Sequence, residues 1–149
     1  MATIKGRVKA ISISGKKGTR KENVSRAELK IDYGIVGDAH AGKWHRQVSL
    51  LSIESITKAP VRGVQVSPGD FAENITTEGI DLHLLKVGDK IHFGKSIELE
   101  ITQLGKKCHT KCEIYKQVGD CIMPREGIFA KVTEGGIMKV GDKIEVIYD

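Results

Sequence analysis

The chain has 149 residues, of which 40% are hydrophobic and 29% are charged, and its formal net charge is +5. This balance excludes an intrinsically disordered chain, and no apolar run reaches the ~20 residues of a membrane-spanning helix. The length is typical of one compact domain, so we expect a single domain over residues 1–149. Because the first residues lack the apolar stretch of a signal peptide, the sequence predicts a cytoplasmic protein.

The fold class is predicted to be mostly β. Only 5% of the residues are aromatic and 17 are glycine, and short runs of Val and Ile recur, which favours strands joined by tight turns. Apolar or small residues alternate with basic residues over residues 4–10, and the alternation continues in the opposite phase over residues 11–14. This change of phase predicts a strand with a bulge near Ala10. A basic loop over residues 15–21 follows, and the strand pattern resumes over residues 24–31.

The middle of the chain combines a long loop with short regular elements. Residues 34–47 are polar and rich in glycine and show no clean period, which is typical of a functional loop. Residues 48–51 read as a buried strand, after which Ser52 is placed to cap a short helix that ends before Pro60.

Two turns and one further helix are predicted in the second half. The hexapeptide KVGDKI occurs at residues 86–91 and again at residues 139–144, and each copy predicts a turn followed by a strand. Proline in a first turn, apolar residues at spacings of one and four, and a glycine pair as a stop predict a short helix over residues 124–132.

All three cysteines, Cys108, Cys112 and Cys121, lie in one short stretch. An odd number suits reduced thiols better than a disulfide framework. Lysines and a histidine flank Cys108, and nearby cations lower the pKa of a thiol and favour the nucleophilic thiolate. Two alternatives remain open: a buried structural cysteine, and a zinc or iron–sulfur site formed by the three cysteines with His109, although the C-x3-C-x8-C spacing matches no standard zinc motif.

A second group of candidate residues lies in the long loop and includes His40, His45 and Arg46. Arg46 offers a fork of donors suited to phosphate or carboxylate, and the glycines of the loop permit close backbone approach to a ligand. The loop lacks the glycine patterns of nucleoside triphosphate and dinucleotide sites. Arg125 is predicted at a helix start, where anions are also attracted, and residues 71–79 by themselves predict a turn. The alternative interpretation for each is a solvated surface segment.

Five short segments follow one another in a specific order along nearly the whole chain. They are residues 34–42 (GIVGDAHAG), 46–51 (RQVSLL), 71–79 (FAENITTEG), 87–89 (VGD) and 108–109 (CH). In this order the segments resemble the molybdenum-cofactor sulfurase C-terminal (MOSC) family, in its single-domain bacterial form. The resemblance implies a β-barrel with a few short peripheral helices.

The resemblance also implies functional residues. Cys108 corresponds to the cysteine that carries sulfur as a persulfide or coordinates molybdenum, while Cys112 and Cys121 could resolve or relay sulfur. The residues expected to bind the anionic cofactor, molybdopterin with its molybdenum, are His40, His45, Arg46, Gln47, Glu73, Asn74 and Arg125.

The function implied by the resemblance is binding of molybdenum cofactor with sulfur transfer during cofactor maturation. Larger relatives carry a pyridoxal-phosphate cysteine desulfurase domain, for which 149 residues leave no room. We therefore expect a separate desulfurase, cofactor-biosynthesis proteins or acceptor molybdoenzymes as partners. The alternatives are a non-catalytic cofactor carrier and a molybdenum-dependent reductase of N-hydroxylated compounds. Membrane binding is not expected, and nucleic-acid binding is disfavoured because aromatic stacking platforms are few and the basic residues are mixed with acidic ones.

Overall fold

The computed structural model describes residues 2–16, 20–58, 67–105 and 127–148. Its elements are β1 (Ala2–Ile13), β2 (Glu22–Val24), β3 (Arg26–Lys30), β4 (Gly34–Ile35), β5 (Val48–Ser52), α1 (Ile53–Thr57), β6 (Ile75–Glu78), a 3-10 turn (Leu82–Leu84), β7 (Lys90–Phe93), β8 (Ile97–Leu104), β9 (Ile128–Glu134), β10 (Gly136–Lys139) and β11 (Lys143–Tyr148). No helix in these ranges is long and apolar enough to cross a membrane.

Seven strands close into a barrel in the order β11-β7-β8-β9-β5-β6-β1, with β1 pairing back to β11. Neighbouring strands are antiparallel except for β5 and β6, which are parallel. β2 extends the sheet from the far end of β1, and β10, β3 and β4 form a second sheet. The predicted mostly β fold with a barrel and short peripheral helical elements is confirmed.

The barrel interior is filled by alternate residues of its strands. In β8, Ile97, Leu99 and Ile101 are buried in the core while the residues between them are half-buried. β5 is buried along its whole length because its inner face packs in the barrel and its outer face is covered. Burying each such aliphatic side chain contributes roughly 1.5–3 kcal/mol, so this alternation is the main source of the barrel's stability.

Several local predictions are confirmed. The pairing of β1 with β6 shifts register between Val8 and Ala10, where a bulge was expected. Ser52 caps α1, its hydroxyl accepting a hydrogen bond from the Ser55 amide at 3.0 Å. The two KVGDKI copies form equivalent turns, in which the lysine amide donates to the aspartate carboxylate at 2.9 Å in the first copy and 2.8 Å in the second.

Three local predictions are wrong in part. Residues 128–132 are not helical but belong to strand β9, since they pair with both β8 and β5 and alternate between the barrel interior and its outer side. In the predicted turn over residues 71–79, only the first part is irregular and Ile75–Glu78 forms β6. The strand expected over residues 24–31 is broken at Ser25, because β2 pairs with β1 whereas β3 pairs with β10.

Candidate functional site

The long loop between β4 and β5 is held closed at its two ends. Gly34 has a φ of 120°, and a Cβ there would lie 2.9 Å from the carbonyl oxygen of Gln47, so only glycine allows this approach. The Gln47 side chain is buried, accepting from the Val132 amide at 2.9 Å and donating to an Asp32 oxygen at 3.1 Å. The loop is therefore fixed to β9 by a residue whose side-chain oxygen and nitrogen are both engaged.

Asp38 and Lys21 form a buried ion pair under this loop. The Lys21 ammonium lies 2.7 Å from Asp38 Oδ1, and both side chains are fully buried. Asp38 also accepts from the amides of Ser14 and His40, each at 3.1 Å. Burial raises the pKa of Asp38, but the hydrogen bonds from the Lys21 ammonium and the Ser14 amide oppose burial, and that pKa lies well below its usual range. The carboxylate is therefore ionised and fastens the loop to the end of β1.

Lys21 is fixed in turn by Gly69. The Lys21 amide donates to the Gly69 carbonyl at 2.8 Å. Gly69 has a φ of 96°, and a Cβ there would lie 2.4 Å from the Lys21 carbonyl oxygen. A side chain at position 69 would push the lysine away from its partner.

His40 and Trp44 stand side by side above the ion pair. His40 Nδ1 lies 3.1 Å from the Lys21 ammonium, and the imidazole is parallel to the Trp44 ring, with 3° between the planes and 6.4 Å between centroids. Trp44 Nε1 donates to the His40 carbonyl at 2.7 Å. The His40 side chain is 17% exposed, so part of it reaches the surface.

Arg46 lies between two aromatic rings. Its guanidinium carbon is 6.0 Å from the centroid of Trp44 and 5.4 Å from that of Phe129, which β9 holds on the outer side of the barrel. Arg46 Nε donates to Gln103 Oε1 at 3.0 Å, and Gln103 Nε2 donates to the Gly105 carbonyl at 2.8 Å. These contacts hold the half-buried guanidinium group of Arg46 near the end of β8.

His45 is exposed, and its ring meets Trp44 edge-on with 5.7 Å between centroids. The His45 carbonyl accepts a hydrogen bond from the Thr102 hydroxyl, so this part of the loop lies across β8. The structure thus brings His40, His45 and Arg46 together around Trp44.

Two other predicted residues are buried. Glu73 Oε2 accepts from the Gly69 amide at 2.9 Å and from the Thr76 hydroxyl at 3.0 Å, and burial, outweighing these donors, raises the pKa of Glu73 to about 7. Asn74 accepts from the Ser49 amide at 3.0 Å and donates to the Ser12 carbonyl at 3.1 Å, so it connects β5 with β1. The polar atoms of both residues are engaged within the protein.

The described residues that flank the cysteine segment, Gly105 and Gly127, are hydrogen-bonded to each other, and Gly105 is also hydrogen-bonded to Gln103. The Gly105 amide donates to the Gly127 carbonyl at 2.8 Å, which joins the two flanks of residues 106–126. Cys108, Cys112, Cys121 and Arg125 lie outside the described residues. Among the residues that the structure describes, no cluster of three or more His, Cys, Asp or Glu side chains could hold a metal ion.

Sequence reasoning missed Lys21, Asp38, Trp44, Gln103 and Phe129 as parts of this site. Asp38 carried one usable signal, because an aspartate two residues before His40 can accept from its amide in an Asx turn. Lys21 carried none, since it stands in a basic stretch that is typical of a solvated loop.

The arrangement suits a flat, anionic ligand. An arginine with donors to spare and an adjacent imidazole can bind phosphate or another oxyanion, and the aromatic rings can pack against a planar group. Asp38, the carboxylate nearest to His40 in these contacts, is neutralised by Lys21. The residues present therefore fit a pterin that carries a phosphate.

The sequence model of the MOSC domain family matches residues 37–145. This range includes most of the chain and the whole loop from Asp38 to Arg46. No curated protein sequence matches the chain.

Solved structures resemble the fold. The YuaD protein of Bacillus subtilis is similar with a TM-score of 0.78 at 22% identity, covering 99% of each chain. YiiM of Geobacillus stearothermophilus is similar with a TM-score of 0.71 at 16% identity, covering 96% of this chain and 75% of that one. YiiM of Escherichia coli has a TM-score of 0.66 at 17% identity, covering 96% and 70%. At these identities the likeness establishes the barrel fold.

Proposed function

This chain belongs to the MOSC domain family, and we propose that it binds molybdenum cofactor and carries or transfers sulfur through Cys108 during cofactor maturation. The family is associated with molybdenum cofactor binding. The observation that carries the proposal is the placement of Arg46 between the rings of Trp44 and Phe129, directly beside the flanks of the cysteine segment.

The cofactor-binding part of the proposal is supported by charge and shape. Arg46 and the exposed edge of His40 would hold the phosphate, while the Trp44 ring would pack against the pterin. Gln47, Glu73 and Asn74, also predicted from the sequence, would act one layer below by fixing the loop and the strands that carry it.

The sulfur-transfer part is supported by the position of Gly105. Cys108 follows Gly105 by three residues in the sequence, and three residues of chain extend over at most about 11 Å. Gly105 is in contact with Gln103, which binds Arg46. Gly105, the last described residue before Cys108, is therefore part of the hydrogen-bonded group around Arg46.

The proposed step is an exchange between sulfur atoms. The Cys108 thiolate attacks the outer sulfur of a persulfide on a separate cysteine desulfurase, the S–S bond of the donor breaks, and the donor cysteine leaves as a thiolate. No electrons are gained or lost overall, and Cys108 becomes the persulfide. Passing that sulfur on as sulfide to a bound molybdenum cofactor would require a second thiol as the two-electron reductant, which would attack the Cys108 sulfur and form a disulfide as sulfide leaves.

Mass spectrometry after incubation with a cysteine desulfurase and cysteine tests the sulfur step. We expect the full chain to gain the mass of one sulfur atom on Cys108, Cys112→Ser to gain it as well, and Cys108→Ser to lose it. An unmodified Cys108 in the wild-type chain, or equal labelling of Cys108→Ser, would contradict sulfur transfer.

Fluorescence tests the binding step, because Trp44 is the single tryptophan of the chain. Molybdenum cofactor released from a molybdoenzyme should change the Trp44 emission, and Arg46→Gln should weaken binding by about 10-fold or more, the loss expected for one charged hydrogen-bonding group. Arg26→Gln, which changes an exposed arginine of β3, should bind like the wild type. Equal weakening in both variants would show a diffuse charge effect and no defined site.

A non-catalytic carrier is the second candidate. It is favoured by the contacts that Arg46, His40 and Trp44 make with other described residues, which hold these three side chains around one ring. Under this alternative, Cys108→Ser retains full cofactor binding and the wild-type chain takes up no sulfur.

A further inference from the structure

We infer that Lys21 and Asp38 are positioning residues that hold His40 in one neutral tautomer, with a bare Nδ1 and a protonated Nε2, so that Nε2–H is offered to an oxygen of the bound anion. The inference deepens the proposed function, on which it rests for the nature of that anion. It assigns the bound group at His40 to the oxyanion class and excludes a metal ion there.

The first step concerns the donor that faces Nδ1. The Lys21 ammonium lies 2.7 Å from Asp38 Oδ1 and 3.1 Å from His40 Nδ1. An ammonium has only donors, so a hydrogen bond to His40 requires that Nδ1 accept. The single proton of the neutral imidazole must then lie on Nε2.

The competing arrangement places a proton on Nδ1 and directs it to Asp38. The distance from Nδ1 to Asp38 Oδ2 is 3.6 Å, which is too long for a hydrogen bond. A proton on Nδ1 would also set two N–H donors against each other at 3.1 Å, in a buried place where their repulsion is poorly screened. The lysine therefore selects against the tautomer that carries its proton on Nδ1.

The backbone that carries the His40 ring is fixed by two further hydrogen bonds. The His40 amide donates to Asp38 Oδ2 at 3.1 Å, and the His40 carbonyl accepts from Trp44 Nε1 at 2.7 Å. The imidazole is also parallel to the Trp44 ring. Asp38 thus fixes the backbone of His40 and the position of Lys21 at the same time.

Nε2 is the ring atom left for a ligand. Among the described residues it has no hydrogen-bond partner, while 17% of the side chain is exposed. A protonated Nε2 donates to a phosphate or similar oxygen but has no lone pair for a metal. His40 therefore recognises an acceptor oxygen as a neutral donor, and Arg46 supplies the positive charge.

Nuclear magnetic resonance of the full chain labelled with 15N-histidine tests the tautomer at neutral pH. We expect His40 Nδ1 to resonate as an unprotonated nitrogen and Nε2 as a protonated one, and addition of inorganic phosphate to shift the Nε2–H signal. A protonated Nδ1 in the wild-type chain would overturn the inference, whatever the variants do.

The double variant Lys21→Met/Asp38→Asn removes the pair without changing the net charge and leaves no unpaired buried ion. We expect a mixture of His40 tautomers and phosphate binding weakened about 10-fold, the loss of one well-oriented charged hydrogen bond. The double variant Lys90→Met/Glu98→Gln, which removes another ion pair without changing the net charge, is the matched control and should leave both readouts unchanged. An unchanged tautomer and unchanged phosphate affinity in the double variant would overturn the inference.

Neither readout uses the molybdenum cofactor or Cys108. If the tautomer is as inferred but cofactor binding and sulfur uptake fail, only the proposed function is wrong. If cofactor binding and sulfur uptake succeed while Nδ1 is protonated, only the inference is wrong.

Discussion

Asp38 and Glu73 are two buried carboxylates whose hydrogen-bond networks meet at Gly69. Their pKa values are shifted in opposite directions. The Gly69 carbonyl accepts from the Lys21 amide, and the Gly69 amide donates to Glu73. Burial raises the pKa of Asp38, but its hydrogen bonds with Lys21 and the Ser14 amide oppose burial, and that pKa lies well below the usual range. Burial raises the pKa of Glu73 to about 7, since its partners are the amides of Gly69 and Phe71 and the Thr76 hydroxyl.

The comparison of the two carboxylates shows that the nature of the partner decides the direction in which the pKa of a buried carboxylate is shifted. Hydrogen bonds from neutral groups do not compensate the desolvation of Glu73, whereas a cation at 2.7 Å together with amides does so for Asp38. The paired carboxylate stands beneath the proposed ligand site, where a fixed charge is needed. The carboxylate without an ion pair among the described residues stands in the turn before β6, where its hydrogen bonds shape the backbone.

The largest expected effect comes from breaking the pair. Lys21→Met leaves Asp38 as an unpaired buried charge and should lower the free energy of unfolding by about 3–5 kcal/mol. Urea denaturation at pH 7 measures this loss. Lys90→Met, which removes an exposed lysine that pairs with Glu98 and Glu100, should cause a much smaller loss because water screens such a pair. Equal losses in the two variants would refute the special role of the buried pair.

The next effect is the pH dependence that Glu73 produces. Its folded pKa of about 7 lies above its ordinary value of 4.5, so the folded state binds the proton more tightly than the unfolded state. Its contribution to stability is therefore fully present below pH 4.5 and is lost as the pH rises to about 7, by on the order of 3 kcal/mol. Glu73→Gln should remove this slope, as measured by urea denaturation between pH 4.5 and pH 8.

Two features make that test specific. Glu28→Gln, which changes an exposed residue of β3, should keep the wild-type slope. Asp38 acts in a different window, because a lowered pKa gives stability that is lost only as the pH falls below the ordinary value of 3.8. A slope unchanged by Glu73→Gln would mean that Glu73 is ionised throughout.

The smallest effect compares two hydroxyls on β6. Thr77 is buried and its hydroxyl has no partner within the described residues, whereas the Thr76 hydroxyl donates to Glu73 at 3.0 Å. Thr77→Val should raise the free energy of unfolding by roughly 1 kcal/mol, because a buried unsatisfied group is removed and the shape is kept. Thr76→Val should lower it by a similar amount. The prediction fails if thermal unfolding ranks the two variants in the reverse order.

Much of the fold could be predicted because its signals are local. The alternation in β8, the Ser52 cap and the repeated KVGDKI turns each depend on neighbouring residues. The helix expected over residues 124–132 shows the limit of such signals. Ile128, Phe129 and Val132 fit a helical face as well as they fit a strand, and only pairing with β5 and β8 decides for the strand.

The site was predicted in part for a similar reason. One loop carries His40, His45 and Arg46, so the sequence already placed these residues close together. All three side chains contact the ring of Trp44. Gln47, predicted as a cofactor-binding residue, is buried with its side chain held by Asp32 and the Val132 amide, a contact that spans most of the chain. The roles of Cys108 and Arg125 stay predictions.

The sequence by itself determined the fold class and the resemblance to the MOSC family. It also identified the loop that carries the candidate ligand-binding residues, and the cysteine of interest. Each of these depends on residue types and on short-range order. Tertiary structure alone decided that Lys21 meets Asp38 and His40, and that Arg46 meets Gln103 of β8. Closure of β1 against β11 and the strand order of the barrel bring such residues together. The physical reason is that a buried ion pair or an oriented imidazole is created by desolvation and by contacts between distant segments, and neither leaves a mark on the local pattern of either segment.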